Sequence, residues 1–355
     1  MKRFVALLLG TSALVLGPAH AQPKEQLVPA MSAGMRDYLH MLNARDGGIN
    51  GVRFTWPKNA DDARAFPYVY PVITTYWDQA AAMVRYMGEE EGGFEKLRDR
   101  KIALLHHDSA YGKEPIAVLA DLAKKYGYGL STIPVPPPGS EQQPQWLQIR
   151  ELRPDWVIVW GWGEMSSAAL TSAAKIGYPR GRMLGVWSSG AEEDVVPAGQ
   201  AAKDFVVAGF HAAGDTYPVM AAIRKYVYGK GGGELADPSG VGSLYYNRGV
   251  VFGIMTAEAV RVAQQRFGNG RPVSAKQVQW ALEHLDLDAR RLKALGAAGF
   301  MPPLATRCSD GAGSGRVRFM RWDGRRWNAI SDWVAPLPED RRRQNGIAPR
   351  KCSAE

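Results

Sequence analysis

The sequence predicts an α/β protein of two lobes, one of them built on a parallel sheet. Three observations carry this. Short apolar runs alternate with amphipathic helical stretches through residues 101–210. Helices and alternating strand-like segments return after that unit is complete, so the chain must cross between lobes more than once. A chain of 355 residues also has the size of two ordinary domains.

The N-terminus comes first. Met1-Lys2-Arg3, an apolar run of about a dozen residues and Gly17-Pro18-Ala19-His20-Ala21 before Gln22 follow the order of a secretion signal. The run is shorter than the roughly 20 residues of a spanning helix, and no Cys follows the cleavage point to take a lipid. The segments expected are therefore a signal at 1–21, a first lobe at 22–98, a second lobe at 99–209, a return segment at 210–325 belonging mainly to the first lobe, and a C-terminal strand and tail at 326–355.

Within the first lobe, residues 35–44 have helical spacing, 52–56 and 66–73 read as strands, and 77–88 as a helix. That is too few βα units to match the second lobe. There, KIALLH at 101–106, 129–134, DWVIVW at 155–160 and 182–187 read as strands. Helices are expected at 112–126, 141–151 and 166–176, the first marked by Ile116, Leu119, Leu122 and Ala123. Strands alternating with helices imply parallel pairing and right-handed crossovers. Beyond the second lobe, 217–228, 244–267 and 273–285 read as helices, and the alternation at 315–319 with the Trp322-Asp323-Gly324 turn as a β-hairpin.

The residues at 43–52 (NARDGGINGV), His107-Asp108-Ser109-Ala110-Tyr111-Gly112, Leu184-Gly185-Val186-Trp187, Trp322-Asp323-Gly324 and Ser331-Asp332-Trp333 occur in an order and spacing that is similar to one family. They resemble the branched-chain amino acid-type periplasmic binding proteins, the type I solute-binding proteins of ABC importers. The resemblance spans most of residues 35–335. It implies two Rossmann-like lobes joined by three crossovers that close on a small ligand by hinge motion, a state the ligand stabilises by binding it better. One departure stands out. The family's first lobe has a glycine-rich loop and two hydroxyl-bearing strand ends that hold the ligand. Here Val28-Pro29-Ala30 runs almost directly into the first helix and Trp56 into a polar stretch, so the first lobe is expected to be shortened.

In a parallel α/β sheet, ligands sit beyond the carboxyl ends of the strands, so the residues after each strand are the candidates. Tyr111 follows the first strand of the second lobe, where the family places a ligand-contacting aromatic; Ser109 before it suits a helix cap or a ligand contact. Trp160-Gly161-Trp162 follows another strand, with Trp160 expected in the core and Trp162 as an apolar wall. Trp187 stands where the family often has an acid, and Glu192 in the same loop is a substitute partner for an ammonium group. Thr75 and Tyr76 open a helix whose hydroxyls and free N–H groups suit either a carboxylate or simple capping.

Adjacent His106 and His107 in an extended strand point to opposite faces, which argues against a metal site with Glu114. No G-x-S-x-G elbow, Walker loop or H-E-x-x-H occurs to support an enzyme, so no catalytic residue and no cofactor is expected. The formal charge of +9 is spread among acids, apart from Arg341-Arg342-Arg343, and is not the clustered footprint of a nucleic-acid binder. Cys308 and Cys352 are the only cysteines, and in an oxidising compartment the pair suits a disulfide better than a metal site, with two free thiols as the alternative. The functional expectation is a monomeric periplasmic receptor that hands a branched-chain or aromatic amino acid, or a related acid or amide, to an inner-membrane ABC permease. The alternative is a ligand-sensing or interaction protein of the same fold without transport.

Overall fold

The computed structural model describes residues 3–5, 28–55, 73–307 and 310–337. Two compact units divide the chain. Among the described residues, unit 1 comprises those up to Ile73 and His211–Ser314, and unit 2 comprises Thr74–Phe210 and those from Gly315 onward. Among the described residues the chain therefore passes between units after Ile73, Phe210 and Ser314. The first of these passages falls well before the 98/99 boundary expected from sequence, and the last falls before 325/326.

Unit 1 opens with strand β1 (Arg3–Val5), helix α1 (Val28–Asp46) and strand β2 (Arg53–Thr55). β1 lies inside the segment read as the secretion signal and pairs in parallel with β2. The strand expected at 66–73 lies outside the described residues except for Ile73, which is fully buried.

Unit 2 then runs α2 (Tyr76–Glu90), β3 (Lys101–His107), α3 (Ala110–Lys113), α4 (Ile116–Tyr126), β4 (Gly129–Val135), α5 (Gln143–Leu152), β5 (Trp156–Trp160), α6 (Glu164–Lys175), β6 (Met183–Gly185), α7 (Glu192–Val195) and β7 (Val206–Gly209). The single helix expected at 112–126 is two helices, because Pro115 has no amide hydrogen to carry the first turn onward. In β3 every residue after Lys101 is buried, and β5 is buried throughout. Strands covered on both faces read as unbroken apolar runs, which is why these two were legible.

The chain returns to unit 1 as α8 (Pro218–Tyr226), α9 (Leu244–Phe267), α10 (Ala275–Leu282), β8 (Asp286–Leu287), α11 (Ala289–Ala294) and β9 (Leu304–Ala305). It ends in unit 2 with the expected hairpin, β10 (Arg318–Trp322) and β11 (Trp327–Ala329). The hairpin completes the unit 2 sheet, whose order is β11-β10-β7-β6-β5-β3-β4. β10 pairs antiparallel with β7 and covers an edge that would otherwise expose unpaired backbone groups.

Unit 1 is organised by two helices in close contact. An added Cβ on Gly249 of α9 would lie 1.9 Å from the Met31 carbonyl oxygen of α1, and one on Gly34 of α1 would lie 2.1 Å from the Tyr246 carbonyl oxygen. Both obstacles are backbone and cannot rotate away. Buried Asp37 of α1 accepts hydrogen bonds from the Tyr228 and Tyr246 hydroxyls at 2.7 and 2.6 Å and from the Glu234 amide at 3.1 Å. On the same pair of helices, Glu258 of α9 is clamped by Arg261 and Arg291.

Replacing Gly249 with Ala should therefore force α1 and α9 apart and destabilise the protein by about 1–3 kcal/mol. Thermal melting followed by circular dichroism checks this, with an unchanged midpoint counting against the close approach.

Candidate functional site

The five parallel strands of unit 2 have the order β4-β3-β5-β6-β7, so the direction of winding reverses between β3 and β5. At such a switch point neighbouring connections leave on opposite faces and open a crevice beyond the carboxyl ends. Every ligand-site residue expected from sequence lies in unit 2. Most of them follow β3, β5 or β6.

After β3 the chain turns sharply. A Cβ on Gly112 would meet the His107 carbonyl oxygen at 1.8 Å, so only glycine permits the turn that presents Tyr111. Ser109 caps the first turn of α3 by accepting the Gly112 amide at 3.3 Å and also lies 2.9 Å from His107 Nδ1. The half-buried Tyr111 ring stands edge-on to Tyr76 at 5.1 Å and to Trp162 at 4.9 Å, and the His107 ring lies 4.6 Å from Trp162. Trp160 is buried in the core, as expected, while Trp162 is half-buried.

After β6, Trp187 stacks on Tyr76 with centroids 5.9 Å apart and planes 8° from parallel, and it stands edge-on to Phe210 at 5.8 Å. The next residue, Ser188, joins two strand ends. Tyr111 Oη and Ser188 Oγ are 2.6 Å apart, and Ser188 Oγ donates to the Gly161 carbonyl at 3.0 Å. Ser189 reaches the Val159 and Gly161 carbonyls at 3.1 and 2.9 Å.

Thr75 and Tyr76 sit at the start of α2. Thr75 Oγ1 accepts the Asp78 amide at 3.1 Å, and the Asp78 carboxylate takes the Thr75 amide and hydroxyl, both at 2.9 Å. This helix start thus carries a carboxylate of its own, and Thr75 serves as its cap. Gln79, one turn on and fully buried, accepts the Trp187 amide at 3.2 Å through Oε1. Glu192 is half-buried at the first position of α7. Cys308 and Cys352 lie outside the described residues.

The arrangement brings Tyr76, Tyr111, Trp162 and Trp187 into one aromatic wall, with Ser109 and Thr75 as caps of the helices that carry it. Sequence reasoning missed Ser188, His107 and Gln79. Ser188 directly follows the strand expected at 182–187, but its partner Tyr111 is 77 positions away and only the fold reveals the pair.

The other edge of the sheet is polar. Glu91 pairs with Arg100, just before β3, at 2.7 Å and with Arg182, just before β6, and it accepts the Trp156 indole N–H at 3.0 Å. Arg100 also meets Asp155, just before β5, at 3.1 Å. The strands are thereby tied at their amino ends, leaving the carboxyl ends to the aromatic wall.

Burial lowers the pKa of both His106 and His107, with the Asp108 charge opposing it in each case. The folded imidazoles therefore stay neutral at a pH where unfolded histidine, with its ordinary value of 6.5, takes up a proton. Stability contributed in this way is present above about pH 6.5 and is lost as the pH falls below it. His211 of unit 1, lowered to about 3 by burial and by Arg248, acts in the same direction. The melting temperature should accordingly drop between pH 7 and pH 5, and His107→Gln should flatten part of that slope. A variant profile parallel to that of the wild type would show that His107 has no share in it.

Among the described residues, no helix is long and apolar enough to cross a membrane. The sequence profile of the periplasmic binding protein family matches residues 57–326. The crystal structure of an ABC transporter permease from the Pseudomonas fluorescens group is similar with a TM-score of 0.85 at 33% identity, covering 99% of this chain and 98% of that one. A branched-chain amino acid ABC transporter from Thermus thermophilus with bound valine gives 0.74 at 16% identity, with 96% and 99% covered. An R. palustris solute-binding protein in complex with 4-hydroxybenzoate gives 0.63 at 11% identity, with 98% and 99% covered. These last two share the fold. None of the curated proteins matches the chain. With the family profile matched over most of its length and a relative at 33% identity aligned almost end to end, the chain belongs to the periplasmic binding protein family and has its type I fold.

Proposed function

We propose that the chain is the solute receptor of an ABC importer, that it works in the periplasm after removal of its signal, and that its ligand is small with an apolar or aromatic body. The class is that of branched-chain and aromatic amino acids and related acids and amides, and the partner is the importer's permease. The observation that carries this reading is the aromatic wall of Tyr76, Tyr111, Trp162 and Trp187 at the carboxyl edge of the unit 2 sheet. Small-ligand sites are mostly apolar with a few placed polar groups, and here the Tyr111 hydroxyl, held by Ser188, is such a group. The bound valine and 4-hydroxybenzoate of two structural neighbours fit the same class.

A thermal-shift screen of amino acids, amides and aromatic acids tests the reading. A ligand at a hundred times its Kd should stabilise the protein by about 2.7 kcal/mol, and Trp187→Ala should abolish the shift. A panel that produces no shift would overturn it.

Export is tested separately. The mature protein should begin at Gln22 by mass spectrometry, whereas an intact N-terminus would make β1 a permanent strand of unit 1.

A further inference from the structure

The hydrogen bonds at Tyr111 have a direction, and it bears on what the ligand must offer. Ser188 Oγ has one proton, and its contact to the Gly161 carbonyl at 3.0 Å uses it, because a carbonyl oxygen can only accept. The contact between Tyr111 Oη and Ser188 Oγ at 2.6 Å must then be donated by the phenol. The chain runs from Tyr111 O–H to Ser188 O–H to Gly161 C=O. Ser188 is buried, with 5% of its surface exposed, and the adjoining Ser189 is fully buried with its hydroxyl on the Val159 and Gly161 carbonyls, so the acceptor end of the relay is held in place. The phenol proton is thus committed to the protein, and Tyr111 Oη presents only lone pairs to anything else that reaches it.

We infer that Tyr111 selects for a ligand that brings the proton at this point: an amide, ammonium or hydroxyl group, and not a carboxylate. This deepens the receptor reading above and rests on it. The local charges agree with the inference. Lys113 on the same helical turn is engaged by Asp108 at 2.7 Å, and both Asp194 and Glu114 add negative potential at Tyr111. Burial together with these neighbours raises the phenol well above its ordinary value, so it stays protonated and the direction of the relay is kept at neutral and mildly alkaline pH. A carboxylate placed against Oη would set lone pairs against lone pairs and lose a hydrogen bond on a charged group, whereas an amide N–H would gain one.

The test is calorimetric titration at pH 7 with shape-matched pairs, isovaleramide against isovalerate and benzamide against benzoate. It uses the wild type, Tyr111→Phe and Ser188→Ala, each verified as folded by circular dichroism. In the wild type the amide of at least one pair should bind about tenfold tighter than its acid. Tyr111→Phe removes the acceptor and should collapse that gap. Ser188→Ala frees the phenol proton to turn outward and should raise the affinity of the acid. An acid bound as tightly as its amide by the wild type overturns the inference and leaves the receptor reading standing. So does a gap unchanged in Tyr111→Phe, or an acid affinity unmoved in Ser188→Ala. Absence of binding by all four probes and by every compound of the wider panel overturns both.

Discussion

Parallel hydrogen bonding is the constraint on which the rest of unit 2 depends. Strands β3 to β7 all run the same way, so each connection must leave from one edge of the sheet and re-enter at the other. Every strand therefore delivers its following loop to the carboxyl edge. Tyr111, Trp162 and Trp187 come from the segments that follow three separate strands, yet they share one wall because those strands are adjacent. The winding reversal between β3 and β5 leaves room for them there.

The two edges divide the chemistry. At the amino edge, Glu91 joins Arg100, Arg182 and Trp156, so the residues that precede β3 and β6 and the first residue of β5 share one carboxylate. At the carboxyl edge neutral hydroxyls and rings join the segments after β3, β5 and β6, with the Asp108–Lys113 ion pair confined to the turn after β3. Ser188 and Ser189 tie the loop after β6 to the backbone after β5, and the Tyr111 phenol ties the loop after β3 to both. Hydroxyls bonded to carbonyl oxygens hold these loops without adding charge, which leaves the wall apolar and its few polar atoms fixed in direction. A hydroxyl fixed in direction can discriminate between a donor and an acceptor of the same shape, something an apolar wall cannot do.

Unit 1 follows another rule. Among the described residues its parallel strand pair is β1 and β2, beside single parallel bridges at Ile73–Gly313 and Ala298–Met301, and its long elements are helices whose backbones approach at Gly34 and Gly249. Buried polar groups are satisfied inside this helical packing, Asp37 by two tyrosines and an amide, Glu258 by two arginines. Polar groups buried this way need full partnering, so they pin the helices in one register.

Much of this was legible in the sequence, for identifiable reasons. KIALLH and DWVIVW are apolar on both faces, so they announced themselves as central strands, and the Trp322-Asp323-Gly324 turn marked a hairpin. The place of that hairpin in the unit 2 sheet was not legible, since pairing with β7 joins residues more than a hundred positions apart. Nor was it visible that α2 belongs to unit 2, because amphipathic spacing says that a helix has a buried face without saying which lobe covers it. By itself the sequence determined the fold class, the parallel sheet and the approximate places of four of its strands, because these rest on local periodicity and composition. Only the tertiary structure decided which strand ends meet and that Ser188 directs the proton of Tyr111. Hydrogen-bond direction and ring contact depend on distances between residues remote in the chain, and no local pattern encodes them.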